Sequence, residues 1–245
     1  VDIYSTFLQR SYDQIFQEVC LQNLPVIFML DRAGLTGPDG PTHHGVFDIG
    51  YLRLFPNLCV LAPGDEYDLV AMLQWALGQN GPVAIRYPKA TVERHSGSRE
   101  PIALGRSEIL RQGDDGLIVA CGTLSSHALS AVDLLAKEGL AIGLINARFV
   151  KPLDCVLLPA AVERAPWVIT VEEHALATGF GSALLEAISD AGVHASRVVR
   201  LGIPDRFIEH AERSELLADL GLDSTGIAAR CRSLAGLSSV IAVEG

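Results

Sequence analysis

Arg32, Asp39, His43 and His44 fall in one stretch with neither helical nor strand period, DRAGLTGPDGPTHHGVFD at 31–48. It holds four glycines and two prolines. A loop this long in a compact domain is usually functional or disordered, and the apolar runs on both sides predict that it is anchored. An imidazole at His43 can donate to a substrate oxygen or shuttle a proton near neutral pH. For His44, and less so for His43, the plainer alternative is packing or capping. Arg32 follows the strand end formed by the apolar run 24–30 and Asp31. A guanidinium at a strand end can hold a phosphate or carboxylate in a two-pronged contact; the alternative is a surface pairing with Asp31 or Asp39. Arg86 and Lys89, in IRYPK at 85–89, flank a second strand end, and cations on two strand ends suit an anionic substrate. Tyr4 and Phe7 stand where a first short strand meets a helix. Core packing is the plainer reading there, and a cofactor platform the other. Arg10 lies on the same turns and faces either that cleft or water.

The elements that must position these groups alternate. A strand ending near Ile3 leads into a helix capped by Ser5 or Thr6, with Leu8, Tyr12, Ile15, Phe16 and Val19 at helical spacing. Short continuous apolar runs at 24–30 and 58–62 predict strands buried on both faces, and 83–87 is predicted as a further strand. Asp65 caps a helix whose inner face is Leu69, Val70, Leu73, Ala76 and Leu77. The polar, turn-rich stretch 88–106 predicts a domain boundary, which divides the chain into 1–97 and 98–245. A second alternation follows. Strands are predicted at 117–121, 141–145, 167–171 and 198–201. Helices are predicted from Ser125 or Ser126 to 138, from Pro152 to 164, and over 179–191, 212–220 and 226–234, with a fraying tail after Gly236. Strands alternating with helices mean βαβ units and parallel sheets. The fold class is therefore α/β in two domains. Ligands of such sheets bind at the carboxyl ends of the strands.

The remaining polar clusters read more plainly. Gly179-Phe180-Gly181-Ser182 has the form of an anion-binding helix start but lacks the full dinucleotide fingerprint, so tight helix–strand packing is preferred. Glu172-Glu173-His174 is an acid/base or interface cluster, with interface preferred. GDDG at 113–116 is a turn before a strand. No metal-ligand spacing stands out.

The bulk properties exclude several classes. The 245 residues carry a net charge of −10, which argues against nucleic acid, since phosphate binding needs clustered Lys and Arg. Five scattered cysteines form no CxxC and predict reduced core thiols. No apolar run is long enough to span a membrane, and no signal-peptide pattern opens the chain. The opening VDIYS resembles the end of a strand, which predicts a fragment or processed product.

Taken together, IYSTFLQRSYDQ at 3–14, the loop 31–48, IRYPK at 85–89, ARFVKPLD at 147–154 and GIPDRFIEH at 202–210 closely resemble the 1-deoxy-D-xylulose-5-phosphate synthase family of the transketolase superfamily. The resemblance runs to about residue 234. It implies a pyrimidine-binding domain lacking its N-terminal part, then a transketolase C-terminal-like domain. By motif, Phe7 would contact the pyrimidine ring of thiamine diphosphate. Tyr4, Arg10, Asp39 and His43 would line the pocket where the acceptor meets the cofactor. Arg32 would bind the acceptor's phosphate, and Lys89 stands where the family usually has a second phosphate-binding arginine. The implied reaction joins pyruvate to D-glyceraldehyde 3-phosphate, giving 1-deoxy-D-xylulose 5-phosphate and CO2 for isoprenoid precursor synthesis. The family's GDG motif for diphosphate and Mg2+, and its activating glutamate, are not in this sequence, so the chain alone is expected to be inactive. The implied setting is a homodimer in a bacterial cytoplasm or plastid stroma, with the other domain supplied by the missing N-terminal part or a second chain. The alternatives are the β-type half-subunit of a split transketolase or 2-oxoacid dehydrogenase, or a non-catalytic dimerisation fragment.

Overall fold

The computed structural model describes residues 1–91, 95 and 99–237. Two five-stranded sheets form it. The first contains β1 (Asp2–Tyr4), β2 (Ile27–Asp31), β3 (Cys59–Leu61) and β4 (Val83–Arg86), in the order β1-β2-β4-β3 and all parallel. The second contains β5 (Glu108–Arg111), β6 (Gly116–Cys121), β7 (Ile142–Asn146), β9 (Val168–Ala175) and β10 (Val198–Ile203), in the order β10-β9-β6-β7-β5, with only β5 antiparallel. A short β8 (Phe149–Lys151) leaves the second half of the chain and pairs antiparallel with β3, so the first sheet closes on a strand from the other half. Continuous apolar strands explain the parallel pairing. Every residue of β4, β6 and β7 is buried, as expected where helices cover both faces.

The helices are α1 (Ser5–Leu8), α2 (Tyr12–Gln14), α3 (Asp48–Leu52), α4 (Glu66–Leu77), α5 (Leu124–Ala136), α6 (Leu157–Arg164), α7 (Phe180–Asp190), α8 (Arg213–Asp219) and α9 (Ser224–Leu234). Several differ from expectation for local reasons. The first helix is broken. A 3-10 turn at Gln9–Ser11 separates α1 from α2, and a π-helical turn, Ile15–Cys20, follows. Leu8 and Ile15 are buried, whereas Tyr12 and Phe16 are exposed, both rings lying near Phe55. Neither Ser5 nor Thr6 caps: the N-cap position is Tyr4, with no side-chain bond, and Thr6 donates to the Thr42 carbonyl at 3.3 Å.

On α4 the expected cap holds, since Asp65 accepts from the Asp68 N–H at 3.0 Å. The inner face is rotated: Asp68, Met72 and Ala76 are buried while Val70, Leu73 and Leu77 are exposed. The helix turns that way because Asp68 enters an ionic cluster. Arg99 meets Asp65, Asp68 and Glu108, and Arg148 lies 2.9 Å from both Asp68 and Glu108. Burial alone would raise the carboxyls of Asp65 and Glu108. Backbone N–H donors and Arg99 hold Asp65 below its usual range, and Arg99 and Arg148 do the same for Glu108. These charges tie the two halves of the chain together.

Pro152 does not start a helix. It follows β8, and α6 begins at Leu157, where Asp154 accepts from the N–H groups of Val156 and Leu157 at 3.2 and 2.9 Å. Thus ARFVKPLD is interdomain framework: Arg148 in the ionic cluster, Lys151 donating to the Phe55 carbonyl, Asp154 at the helix start. Ser125 and Ser126 are not caps either; Ser125 donates to the Gly64 carbonyl across the halves. The last helix starts earlier than expected because Asp223 accepts from the Gly226 N–H at 2.7 Å. Among the cysteines, Cys20, Cys121 and Cys231 are buried, Cys59 is half-buried and Cys155 is exposed, so the core reading fails for Cys155. The expected boundary at 97 and the tail from 238 onward lie outside the described residues. No helix among the described residues is long and apolar enough to cross a membrane.

Candidate active site

Tyr4, Asp31 and Arg86 end three adjacent parallel strands, because Tyr4 is in register with Asp31 and Leu30 with Arg86. Arg32 follows with φ +57, a left-handed conformation uncommon for a residue with a side chain. That turn brings its guanidinium over the Tyr4 ring, 3.8 Å from the centroid, and into an ion pair with Asp31. Its Nε is buried with no hydrogen-bond partner. Tyr4 in turn stacks on Phe7, with centroids 5.4 Å apart and planes 6° from parallel. Phe7 meets the His43 imidazole edge-on at 5.4 Å. His43 Nδ1 lies 3.0 Å from the Thr42 hydroxyl. The result is a continuous row of Asp31, Arg32, Tyr4, Phe7 and His43 at the carboxyl edge of the first sheet. Phe7 is 42% exposed, so its ring is not core.

The loop that carries His43 is pinned. Gly34 and Gly45 exchange both backbone hydrogen bonds at 2.8 Å. A Cβ on Gly45 would stand 2.4 Å from the Arg32 carbonyl oxygen and 2.7 Å from Ser5 Cβ, so only glycine lets the two arms meet. A 3-10 turn, Gly37–Asp39, follows. Buried His44 accepts at Nδ1 from the Thr36 N–H at 3.0 Å, which requires the neutral ring; burial accordingly lowers its pKa. It is a packing histidine.

The other expected site residues, Arg10, Asp39 and Lys89, are exposed and make no hydrogen bond or ion pair with the row among the described residues. Arg86, noted as a possible substrate cation, is buried and bonded to Asp48 at 3.0 Å, with further bonds to the carbonyls of Glu173 and Gly45. It braces the loop instead of facing a ligand.

The helix start at Gly179 does bind a carboxyl group, but an internal one. Glu172 accepts from the N–H groups of Phe180 and Gly181 at 2.6 and 2.9 Å, while Cβ atoms on Gly179 and Gly181 would collide with Glu172 and Thr170. Burial pushes the Glu172 carboxyl up to about 7, against those bonds and the charges of Arg86 and Arg200. His174 is driven down to about 4, first by burial and then by Arg86, although Asp48 opposes the fall. Glu173 and His174 bond to the first half of the chain, through the N–H groups of Leu35 and Gly50, as the preferred interface reading expects, whereas the hydrogen bonds of Glu172 stay within the second half. Sequence reasoning missed the bracing of the loop by Glu173 and Arg213; a lone Glu and a distant Arg give no spacing signal.

A cavity of about 950 Å3 lies beside this row and not on it, between Val46, Phe47, Leu176 and the segment 203–208, with Phe207 exposed at its rim. The aromatic, cationic and imidazole groups converge at the strand ends, and we place the site there. No group of three or more His, Cys, Asp or Glu able to hold a metal ion occurs among the described residues.

Two α/β units built on mainly parallel sheets are the architecture of the transketolase pyrimidine-binding and C-terminal domains. Residues 1–94 match the family described as the transketolase pyrimidine binding domain, and residues 105–227 match the transketolase C-terminal domain. The chain belongs to the transketolase family. Curated proteins similar to it include 1-deoxy-D-xylulose-5-phosphate synthases. The one from Rhodopirellula baltica is 52% identical over 96% of this chain and 37% of its own length. Synthase 1 of Geobacter sulfurreducens is 53% identical over 93% of the chain and 36% of its own length. The chain thus spans a little over a third of these relatives. Among solved structures, a split-gene transketolase described as an inactive β4 tetramer is 29% identical, with a TM-score of 0.87 over 96% of this chain and 76% of that one. A Pichia stipitis transketolase, 18% identical with a TM-score of 0.78 over 98% of this chain and 34% of that one, shares the fold.

Proposed function

We propose that this chain forms the pyrimidine-binding and C-terminal domains of a 1-deoxy-D-xylulose-5-phosphate synthase. The whole protein condenses pyruvate with D-glyceraldehyde 3-phosphate, releasing CO2, with thiamine diphosphate and Mg2+. The observation that carries this reading is the row from Arg32 to His43, in a sequence about half identical to such synthases throughout. The donor set fits part of the cofactor. Phe7 offers an exposed ring at a sheet edge for the pyrimidine. The described residues hold no group of three or more His, Cys, Asp or Glu for Mg2+, and in this reading another domain, of the same protein or a second chain, supplies the ligands of the metal and the diphosphate. Without it the chain is inactive. The cofactor, when bound, supplies the electron sink for decarboxylation and carbon–carbon bond formation.

This chain's residues bind and orient. Arg32 takes the acceptor's phosphate: Tyr4 and Asp31 hold its guanidinium in place, and its buried Nε lacks a partner. Lys89 adds a second, single-pronged charge. Phosphate binding then positions the aldehyde for attack. His43 hydrogen-bonds the acceptor oxygen that gains negative charge. Tyr4, Arg10 and Asp39 complete the pocket wall. The protein works as a homodimer, and its bacterial relatives favour a bacterial cytoplasm over a plastid.

A half-subunit of a split transketolase is the second reading, favoured by the solved split-gene chain that matches over nearly all of this one. Incubating the complete protein with pyruvate, cofactor and Mg2+ separates the two. Pyruvate consumption that depends on D-glyceraldehyde 3-phosphate supports the synthase. Ketol transfer from a sugar phosphate donor, with pyruvate untouched, supports the transketolase and overturns our reading.

A further inference from the structure

In an open parallel sheet the ligand crevice lies at the carboxyl ends of the strands, where the strand order reverses. In the second sheet that point falls between β6 and β9, since β7 lies on one side of β6 and β9 and β10 lie on the other. The crevice is filled from within the chain. Arg86 reaches it from β4. Its Nη1 lies 3.9 Å from where a Cβ on Gly122 would stand, and its Nη2 donates to the Glu173 carbonyl at 3.2 Å. The Leu35 N–H donates to the Glu173 carboxylate at 2.8 Å. The Ala175 N–H donates to the Val46 carbonyl at 2.9 Å. The site loop occupies the place a ligand would take.

Glu173 is the strongest of these contacts. Arg213, at the start of α8, grips both of its carboxylate oxygens through Nε, at 2.9 Å, and Nη2. A charged acceptor fixed in this way gives the Leu35 N–H a stronger bond than a neutral one would. Gly34, at φ +88, leaves the carboxylate just enough room, since a Cβ there would stand 2.6 Å from Glu173 Cδ. Gly34 is also the residue bonded through both backbone groups to Gly45, two positions beyond His43. Holding Gly34 and Leu35 therefore fixes both arms of the loop, one leading from Arg32 and the other to His43.

We propose that Glu173, gripped by Arg213, is a positioning residue: it locks the loop 33–45 so that Arg32 and His43 face one acceptor. The C-terminal domain then shapes the reaction without touching a substrate. The inference rests on the synthase reading for its kinetic part only.

The test compares wild type, Glu173→Gln and Arg213→Lys in the complete enzyme, by steady-state kinetics for each substrate and by amide hydrogen exchange. Gln keeps the size but turns an NH2 toward Arg213; Lys keeps the charge but loses the fork. For Glu173→Gln, kcat/KM for D-glyceraldehyde 3-phosphate is expected to fall roughly 10- to 100-fold, the effect of losing one charge-assisted hydrogen bond. The KM for pyruvate stays near wild type, and exchange rises only within 33–45. Arg213→Lys moves both readouts the same way by less. The effect of Glu173→Gln shrinks when His43 is already Ala, because the two act through one geometry. Equal losses for both substrates with exchange rising along the whole chain would mean simple destabilisation and overturn the proposal, as would unchanged kinetics. If the wild-type enzyme does not use these substrates at all, the synthase reading has failed, and the exchange of 33–45 alone decides whether Glu173 locks the loop.

Discussion

The ring of Phe7 meets the imidazole of His43 edge-on, with centroids 5.4 Å apart. One comes from the first helical turn, the other from the far arm of a glycine-rich loop. Their meeting depends on the Gly34–Gly45 backbone pair that closes that loop. His43 bonds to the Thr42 hydroxyl and little else, so its removal costs the fold little. His43→Ala in the complete enzyme is expected to lower kcat by about 100-fold, the scale of one lost transition-state donor, with a melting temperature within a few degrees of wild type, as for a surface substitution. Paired kinetics and thermal melts check this. Unchanged turnover would remove His43 from the mechanism.

Lys89 stands at the end of IRYPK, exposed, with its charge free to reach a phosphate. An ammonium is a point charge, whereas a guanidinium offers a planar fork. Lys89→Arg is therefore expected to lower the KM for D-glyceraldehyde 3-phosphate by roughly 3- to 10-fold, a gain of about 1 kcal/mol. Steady-state kinetics with the acceptor varied measures it, and an unchanged KM would place Lys89 outside the phosphate site.

Glu172 and His174 form a pair with opposed pH dependences. Glu172 is raised from 4.5 to about 7, mainly by burial. The folded state thus holds a proton that the unfolded chain has lost. Its contribution to stability is fully present below pH 4.5 and is lost as pH rises toward 7. His174 is lowered from 6.5 to about 4, also mainly by burial. Its contribution is fully present above pH 6.5 and is lost as pH falls toward 4. In the complete enzyme, Glu172→Gln removes the contribution of Glu172 and leaves that of His174. Relative to wild type, the variant is expected to gain stability as pH rises from 4.5 to 7, by roughly 1.4 kcal/mol per pH unit. Urea unfolding at several pH values gives this difference, and a flat difference would show that Glu172 is ionised throughout.

Most of the fold was legible because continuous apolar runs leave a strand few choices. The runs at 58–62 and 117–121, like the strand expected over 83–87, are central strands within a residue or two. What failed was decided by distant partners. The inner face of α4 turned toward Asp68 because Arg99 and Arg148 meet it there. The helix expected at Pro152 begins later, at Leu157, where Asp154 accepts from the first helical N–H groups; Pro152 itself only follows the end of β8 at Lys151. At the site, Arg32, Tyr4, Phe7 and His43 were legible as chemistry-bearing types at a strand end and a loop. Their stacking order was not. It depends on the left-handed turn at Arg32, an arginine where sequence alone would expect no such turn. Glu173 was read as interface, and its hold on Leu35 emerged only with the fold.

The most direct test of the account is the substrate dependence of Arg32→Ala in the complete enzyme, with pyruvate saturating. If Arg32 binds the acceptor's phosphate, the variant's kcat/KM for D-glyceraldehyde 3-phosphate falls roughly 100-fold, the scale of one charged contact. Its kcat/KM for unphosphorylated D-glyceraldehyde stays at the wild-type value. Equal losses with both acceptors would contradict the account, because Arg32 would then support the fold or the cofactor and not the phosphate.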